Sequence, residues 1–236
     1  MKRLIKTIFI AASLLIAACT PTQKTDEAVN HTIRIGTEQF TASLDSALEW
    51  NGWFTVRYGI GETLFKVEDD MQIKPWLVSN AENIDPKTWK LTLRENIKFS
   101  DGTTMDAKSV VDNLHHIAQE NARAAFLQGA EYEIDGYTIT IKTIEPHSTL
   151  LSDLSDPMFA ILNLTSKEDK ATMPIGTGPY IVKAFTADQE IVLEPNKNYW
   201  DGTPKLNKIT VTKMLEKETA ILALKNHELD AYTEMN

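Results

Sequence analysis

The sequence predicts a mixed α/β chain, with many short strands interleaved with a few helices. Three observations carry that prediction. Runs of alternating apolar and polar residues recur along the chain, one stretch has helical periodicity, and Asp-Gly pairs fall between the runs. The 236 residues are 42% hydrophobic and 24% charged. This ordinary globular balance excludes a wholly disordered chain, a collagen and a polytopic membrane protein. At roughly 150 residues per domain, the length suits one large domain or two small ones. No internal repeat or low-complexity block interrupts the chain.

The elements follow in order. Thr32–Thr37 (TIRIGT) is a short strand. Leu44–Thr63 is mixed, with aromatics at Trp50, Trp53, Phe54 and Tyr58. In Thr88–Lys98, Trp89, Leu91 and Leu93 share one face, while Lys90, Thr92 and Arg94 share the other; this is a half-buried strand. Asp101-Gly102 marks a turn. Asp106–Glu120 predicts a helix with Val110, Leu114 and Ile117 inward and Thr104 or Asp106 as its cap. Asp135-Gly136 between two alternating runs predicts a hairpin over Tyr132–Ile144. Pro174–Pro179 is a Gly/Pro-rich loop. Tyr180–Phe185 and Glu190–Glu194 form a strand pair, and Ile209–Met214 is a further strand. Glu216–Asn226 is a helix carrying Ile221 and Leu224. Glu228–Tyr232 reads as the start of a strand, so the architecture is expected to be cut short.

Residues 1–18, MKRLIKTIFIAASLLIAA, have a basic start and an apolar run too short for a comfortable membrane span. They read as a secretory signal peptide. The small residues before Cys19 resemble a bacterial lipobox, which implies a diacylglyceryl group on Cys19 and cleavage just before it. Cys19 is the single cysteine, so no internal disulfide or cysteine-based zinc site is expected. Residues 19–31 read as a flexible tether and 32–236 as the folded part. Loss of Lys2, Arg3 and Lys6 with the leader takes the formal net charge from −9 to −12. A nucleic-acid binder usually shows a basic face, and nothing in this acidic chain suggests one.

No catalytic motif is present: no GxSxG, HExxH, P-loop or GxGxxG. The chain is therefore expected not to be an enzyme and to have no cofactor. The five histidines suggest no metal site of the protein's own. His115 and His116 are adjacent on a helix and diverge by about 100°, so they do not aim at one metal. They read as one surface and one half-buried residue.

Gly176-Thr177-Gly178-Pro179-Tyr180 is the loop that stands out, and Asn196-Lys197-Asn198-Tyr199-Trp200 follows it. GTGPY followed by NxxYW resembles the signature of extracytoplasmic solute-binding proteins of family 5, which serve ABC importers. Glu62–Phe65 with Pro75-Trp76-Leu77, Trp89–Gly102, Ala107–His116 and Ala223–Ala231 resemble further family segments in the same order. The resemblance implies a periplasmic-binding-protein-like lobe I, truncated before lobe II. It also implies an ABC permease as partner and an extracytoplasmic location, with the membrane reached through a lipid anchor.

Within that family the chain resembles carriers of nickel and metallophores. Pro174–Tyr180, Arg123-Ala124-Ala125-Phe126 and Glu49–Trp53 carry this. The ligand implied is a nickel or related transition-metal chelate of a histidine- or opine-type metallophore. A peptide carrier of the same family and a truncated, non-transporting surface lipoprotein are the alternatives. A carboxylated chelate needs a cation and flat aromatic walls. The candidate ligand-binding residues are Trp50, Trp53, Arg57, Tyr58, Arg123, Phe126, Thr177 and Gly178, with Thr177 and Gly178 foremost. Trp53 reads equally as core or cleft wall. Trp50 reads also as scaffold, Arg57 and Tyr58 as surface, and Arg123 as a helix-end charge. Asp156 departs from the nickel carriers, some of which have an arginine there.

Overall fold

The computed structural model describes residues 31–233. The expected signal peptide, Cys19 and nearly all of the expected tether lie outside them.

Two sheets organise the chain. The first strand, β1 (Thr32–Thr37), is followed by a loop and a short helix, α1 (Gly52–Arg57), within the stretch that reads as mixed. A small hairpin of β2 (Phe65–Val67) and β3 (Ile73–Pro75) leads into β4 (Val78–Asp85) and β5 (Thr88–Leu93). Leu91 and Leu93 are buried and Lys90 is exposed, as the alternation predicts. The polar β4 has no such alternation because only Val78 is buried. It is an edge strand, so it gave no sequence signal.

Helix α2 (Ala107–Glu120) buries Val110, Leu114 and Ile117. The Ser109 backbone N–H donates to Asp106 Oδ1 at 2.8 Å, and the Asp106 N–H meets Ser109 Oγ at 3.0 Å. Asp106, not Thr104, is therefore the cap. Asp106→Ala is expected to cost about 1 kcal/mol, measurable as a lowered urea midpoint at an unchanged slope.

A 3-10 turn over Ala122–Leu127 precedes the hairpin of β6 (Glu131–Asp135) and β7 (Thr138–Lys142). The second sheet runs β4-β5-β7-β6, all antiparallel, and its buried residues merge with those of α2 into one core. The helix α3 (Leu150–Asp153) and a 3-10 turn over Pro157–Phe159 close that core from the side.

The chain then returns to the first sheet through β8 (Tyr180–Thr186), β9 (Glu190–Pro195) and β10 (Lys208–Lys213). Helix α4 (Lys217–Lys225) and β11 (Ala231–Thr233) complete it in the order β11-β1-β10-β9-β8. Strand β1 lies between two parallel partners, β10 and β11. Helix α4 buries Ala220 and Ala223, while Ile221 is exposed and Leu224 only half-buried. Small side chains let the helix approach closely, so its largest apolar residues do not mark its packed face.

Candidate functional site

Beside the α2 core lies an open groove of about 590 Å³. It is lined by Trp53, Val67, Arg123, Phe126 and His147, and by residues from 152 to 158. Gly52 positions Trp53 by allowing α1 to begin directly against the 157–159 turn. A Cβ there would meet the Pro157 carbonyl oxygen at 2.4 Å. Buried Asn121 donates to the Ala47 carbonyl at 3.1 Å and accepts from the Arg123 N–H at 3.1 Å. It thereby ties the loop before α1 to the 122–127 turn.

Arg123 is held on three sides. Its Nη1 donates to Asp156 Oδ2 at 2.8 Å and its Nη2 to the Glu49 carbonyl at 3.0 Å. The guanidinium lies 4.1 Å from the centroid of the Trp50 ring, a cation–π arrangement. Trp50 is 61% exposed and Trp53 47% exposed, so both present aromatic area to solvent. The Phe126 ring stacks on His147 with centroids 4.4 Å apart and planes 9° apart. His147 Nε2 is 2.6 Å from Asp153 Oδ2, which also accepts from Thr149 Oγ1 at 2.7 Å.

The candidate residues therefore divide among three places. Trp53, Arg123 and Phe126 meet in the groove, and Trp50 joins them beneath Arg123. Arg57 and Tyr58 line a separate apolar hollow of about 420 Å³ on the first sheet, with Ile35, Pro179 and Val211 among its walls. Tyr58 departs from a surface reading because it is buried against Leu44 and Ile60. Thr177 and Gly178 are wholly inside: Thr177 is 0% exposed, and Gly178 is buried against the Gly59–Ile60 backbone. The structure thus offers no surface of Thr177 to a ligand, contrary to its foremost place among the candidates.

The loop carrying these two residues is part of a lock. Gly178 N–H donates to the Ile60 carbonyl at 3.0 Å, and Asn196 Nδ2 to the Gly178 carbonyl at 2.7 Å. Glu62 accepts from Tyr199 Oη at 3.1 Å and from Trp200 Nε1 at 2.8 Å. Burial pushes the Glu62 carboxyl up to about 7, against the opposing pull of these donors. GTGPY, Glu62 and NxxYW, far apart in sequence, are thus joined directly in space.

His147, Asp153 and Asp156 complete the groove but were not proposed as ligand contacts. They come from the stretch between residues 144 and 159, whose helix α3 is only four residues long, too short for any periodicity to point to a face. Their one sequence signal is Asp156 itself, flagged as a departure. Among the described residues, no group of three or more His, Cys, Asp or Glu side chains is placed to hold a metal ion.

Residues 72–236 match the bacterial extracellular solute-binding proteins, family 5 (middle). The chain belongs to this family. A family 5 relative, the nickel-binding protein NikA of Staphylococcus aureus, is 29% identical over 230 residues. That match covers 97% of this chain and 45% of the relative. The crystal structure of a nickel ABC transporter protein from Bacillus halodurans aligns with a TM-score of 0.81 at 32% identity. It covers 87% of this chain and 43% of that one. Staphylococcus aureus NikA in complex with Ni(L-His)2 aligns with a TM-score of 0.79 at 29% identity, covering 85% of this chain and 43% of that one. The mixed α/β architecture is therefore that of the family 5 binding proteins. The chain spans less than half the length of these relatives.

Proposed function

We propose that the full-length protein is the substrate-binding component of an ABC importer and carries a nickel or related transition-metal chelate. The observation that carries this reading is the groove, where Trp53 of α1 meets Arg123 and Phe126 of the distant 122–127 turn. Flat aromatic walls around a fixed guanidinium suit a small chelate that brings its own metal ligands. The nickel-binding relatives support the same reading. In the full-length protein, residues 32–236 are the N-terminal part of lobe I, and the opposite wall of the cleft comes from lobe II. Residues 1–18 are the signal peptide, and Cys19 carries the lipid that tethers residues 19–31 to the outer face of the cytoplasmic membrane. Two or more acyl chains give stable anchoring. The intact mass of the native protein tests the anchor: a mature chain starting at an acylated Cys19 is expected, and an unmodified N-terminus rejects it.

Calorimetry of the full-length protein tests the ligand. Saturable heat is expected with nickel in excess L-histidine and none with short peptides; the reverse pattern makes the protein a peptide carrier. Trp53→Ala is expected to weaken chelate binding about tenfold, a loss of about 1.4 kcal/mol. Because Trp53 is 47% exposed, its removal should leave the unfolding midpoint nearly unchanged. An equal loss of stability and affinity would make Trp53 a packing residue.

A further inference from the structure

We propose that the apolar hollow on the first sheet is a second binding site, which takes a small amphiphilic monocarboxylate. Its head group would rest on Arg57 and the Tyr58 hydroxyl, and its apolar body along the sheet. The hollow lies apart from the groove, so the proposal does not depend on the chelate reading.

The walls set the body of the ligand. Ile35 of β1 is the cross-strand partner of Val211 in β10, and Ile209 of β10 is the partner of Leu193 in β9. These four line the hollow from one sheet face, joined by Pro179 and Tyr180. Its volume of about 420 Å³ falls inside the range of small-molecule sites, about 300–1,000 Å³. Apolar surface of this kind gains by leaving water against an apolar ligand.

Two unengaged polar groups set the head. Arg57 is the one charged side chain among the described residues that line the hollow. It ends α1, exposed, with its guanidinium 5.8 Å from the Phe54 ring centroid. Among the described residues it makes no hydrogen bond or ion pair, whereas Arg123 in the groove is held by Asp156. Tyr58, the next residue, also lines the hollow and is 7% exposed. Its hydroxyl is buried and has no hydrogen-bond partner among the described residues. A buried donor left unpaired is costly and is the exception in folded proteins. The two groups also feel each other: burial pushes the Tyr58 hydroxyl up, and the Arg57 guanidinium pulls it back down. A carboxylate serves both, taking charge-assisted hydrogen bonds from guanidinium and phenol. No acidic side chain among the described lining residues opposes it. An alcohol would lack the charge, and an ammonium group would meet Arg57 with the same sign.

Calorimetry of the full-length protein with octanoate, octanol and octylammonium, each kept dilute enough to stay monomeric, tests the site. Saturable binding of octanoate is expected, with octanol about tenfold weaker and octylammonium not bound. Tyr58→Phe removes only the unpaired hydroxyl, so the urea midpoint should not fall, while octanoate affinity should drop about tenfold. Arg57→Gln should weaken octanoate about tenfold and leave octanol unchanged, which separates loss of the head-group contact from collapse of the hollow. Nickel in excess L-histidine should not displace octanoate. Absence of saturable octanoate binding, as when a later segment of the full-length chain fills the hollow, overturns the proposal. So does equal binding of all three probes, an octanoate affinity unchanged by either substitution, or displacement by the nickel complex. The chelate reading stands or falls separately, on the nickel titration alone.

Discussion

Gly176→Ala is expected to destabilise the full-length protein by about 4 kcal/mol or more, and Gly178→Ala by a similar amount. Both exceed the 1–3 kcal/mol usual for overpacking, because the added methyl meets backbone. A Cβ on Gly176 would lie 2.1 Å from the Ile60 carbonyl oxygen, and one on Gly178 would lie 2.3 Å from the Gly59 carbonyl oxygen. A flexible side chain moves aside, but these carbonyls cannot. The Ile60 oxygen accepts from Gly178 N–H and the Gly59 oxygen from Tyr180 N–H, at 3.0 and 2.9 Å. The loop is also tied to its other neighbours: Ser100 N–H donates to the Gly176 carbonyl at 2.9 Å and Asn196 N–H to the Pro179 carbonyl at 2.8 Å. Moving the loop by an ångström breaks several bonds at once, each worth about 1 kcal/mol. Gly136 is the control. It has a φ of +59° and nothing within 4 Å of its added Cβ, so Gly136→Ala carries only the cost of a left-handed alanine, about 1 kcal/mol. Urea unfolding of the three variants checks the ranking. Equal, small losses at all three positions would mean that the GTGPY loop is not packed as described.

That contrast shows what the sequence made legible. The motif was visible at once, and so was its pairing with NxxYW. Thr177 and Gly178 stood foremost among the candidate ligand contacts, in a loop whose glycines permit close approach of another backbone or a ligand. In the structure the glycines admit another stretch of the same chain instead. A close backbone approach looks the same in sequence whichever partner makes it. The periodic elements were readable for the opposite reason: α2, β5 and β7 each bury one face, and burial writes a period into the sequence; in β6, which buries none, Ile134 is exposed. Strand β4 and the 122–127 turn write none. The groove drew on both kinds of segment. Trp53, Arg123 and Phe126 stood out by residue type, but His147 and Asp153 acquire meaning only once the 144–159 segment folds back beside Phe126. The ion pair between Arg123 and Asp156, 33 residues apart, recasts the departure at Asp156. That acid engages the candidate cation itself, which alters what the cation can do for a ligand.

The same lock makes stability depend on pH in a definite direction. Glu62 is 0% exposed and accepts from Tyr199 and Trp200; the Thr177 hydroxyl also pulls its carboxyl down, and among the described residues no cation pairs with it. Burial therefore wins over hydrogen bonding, and the carboxyl rises from its ordinary 4.5 to about 7. The folded protein then holds a proton that the unfolded chain releases. Glu62 contributes its full stabilisation below pH 4.5 and loses it progressively as pH rises to about 7. At about 1.4 kcal/mol per pKa unit, the loss is on the order of 3 kcal/mol. Asp85, Asp101 and Asp230 have lowered values, so their stabilisation is lost only as pH falls below the usual carboxylate range. Among these four carboxyls only Glu62 titrates between pH 5 and 7. Urea midpoints of the wild type should carry a falling component across that interval that Glu62→Gln lacks. Glutamine has one acceptor oxygen for two donors and adds an amide that needs its own partner, so its absolute stability is offset. The slope is free of that offset, because a group that cannot titrate adds nothing to it. A variant that keeps the wild-type slope would place the proton elsewhere, and the Glu62 carboxylate would then have to be ionised inside the lock.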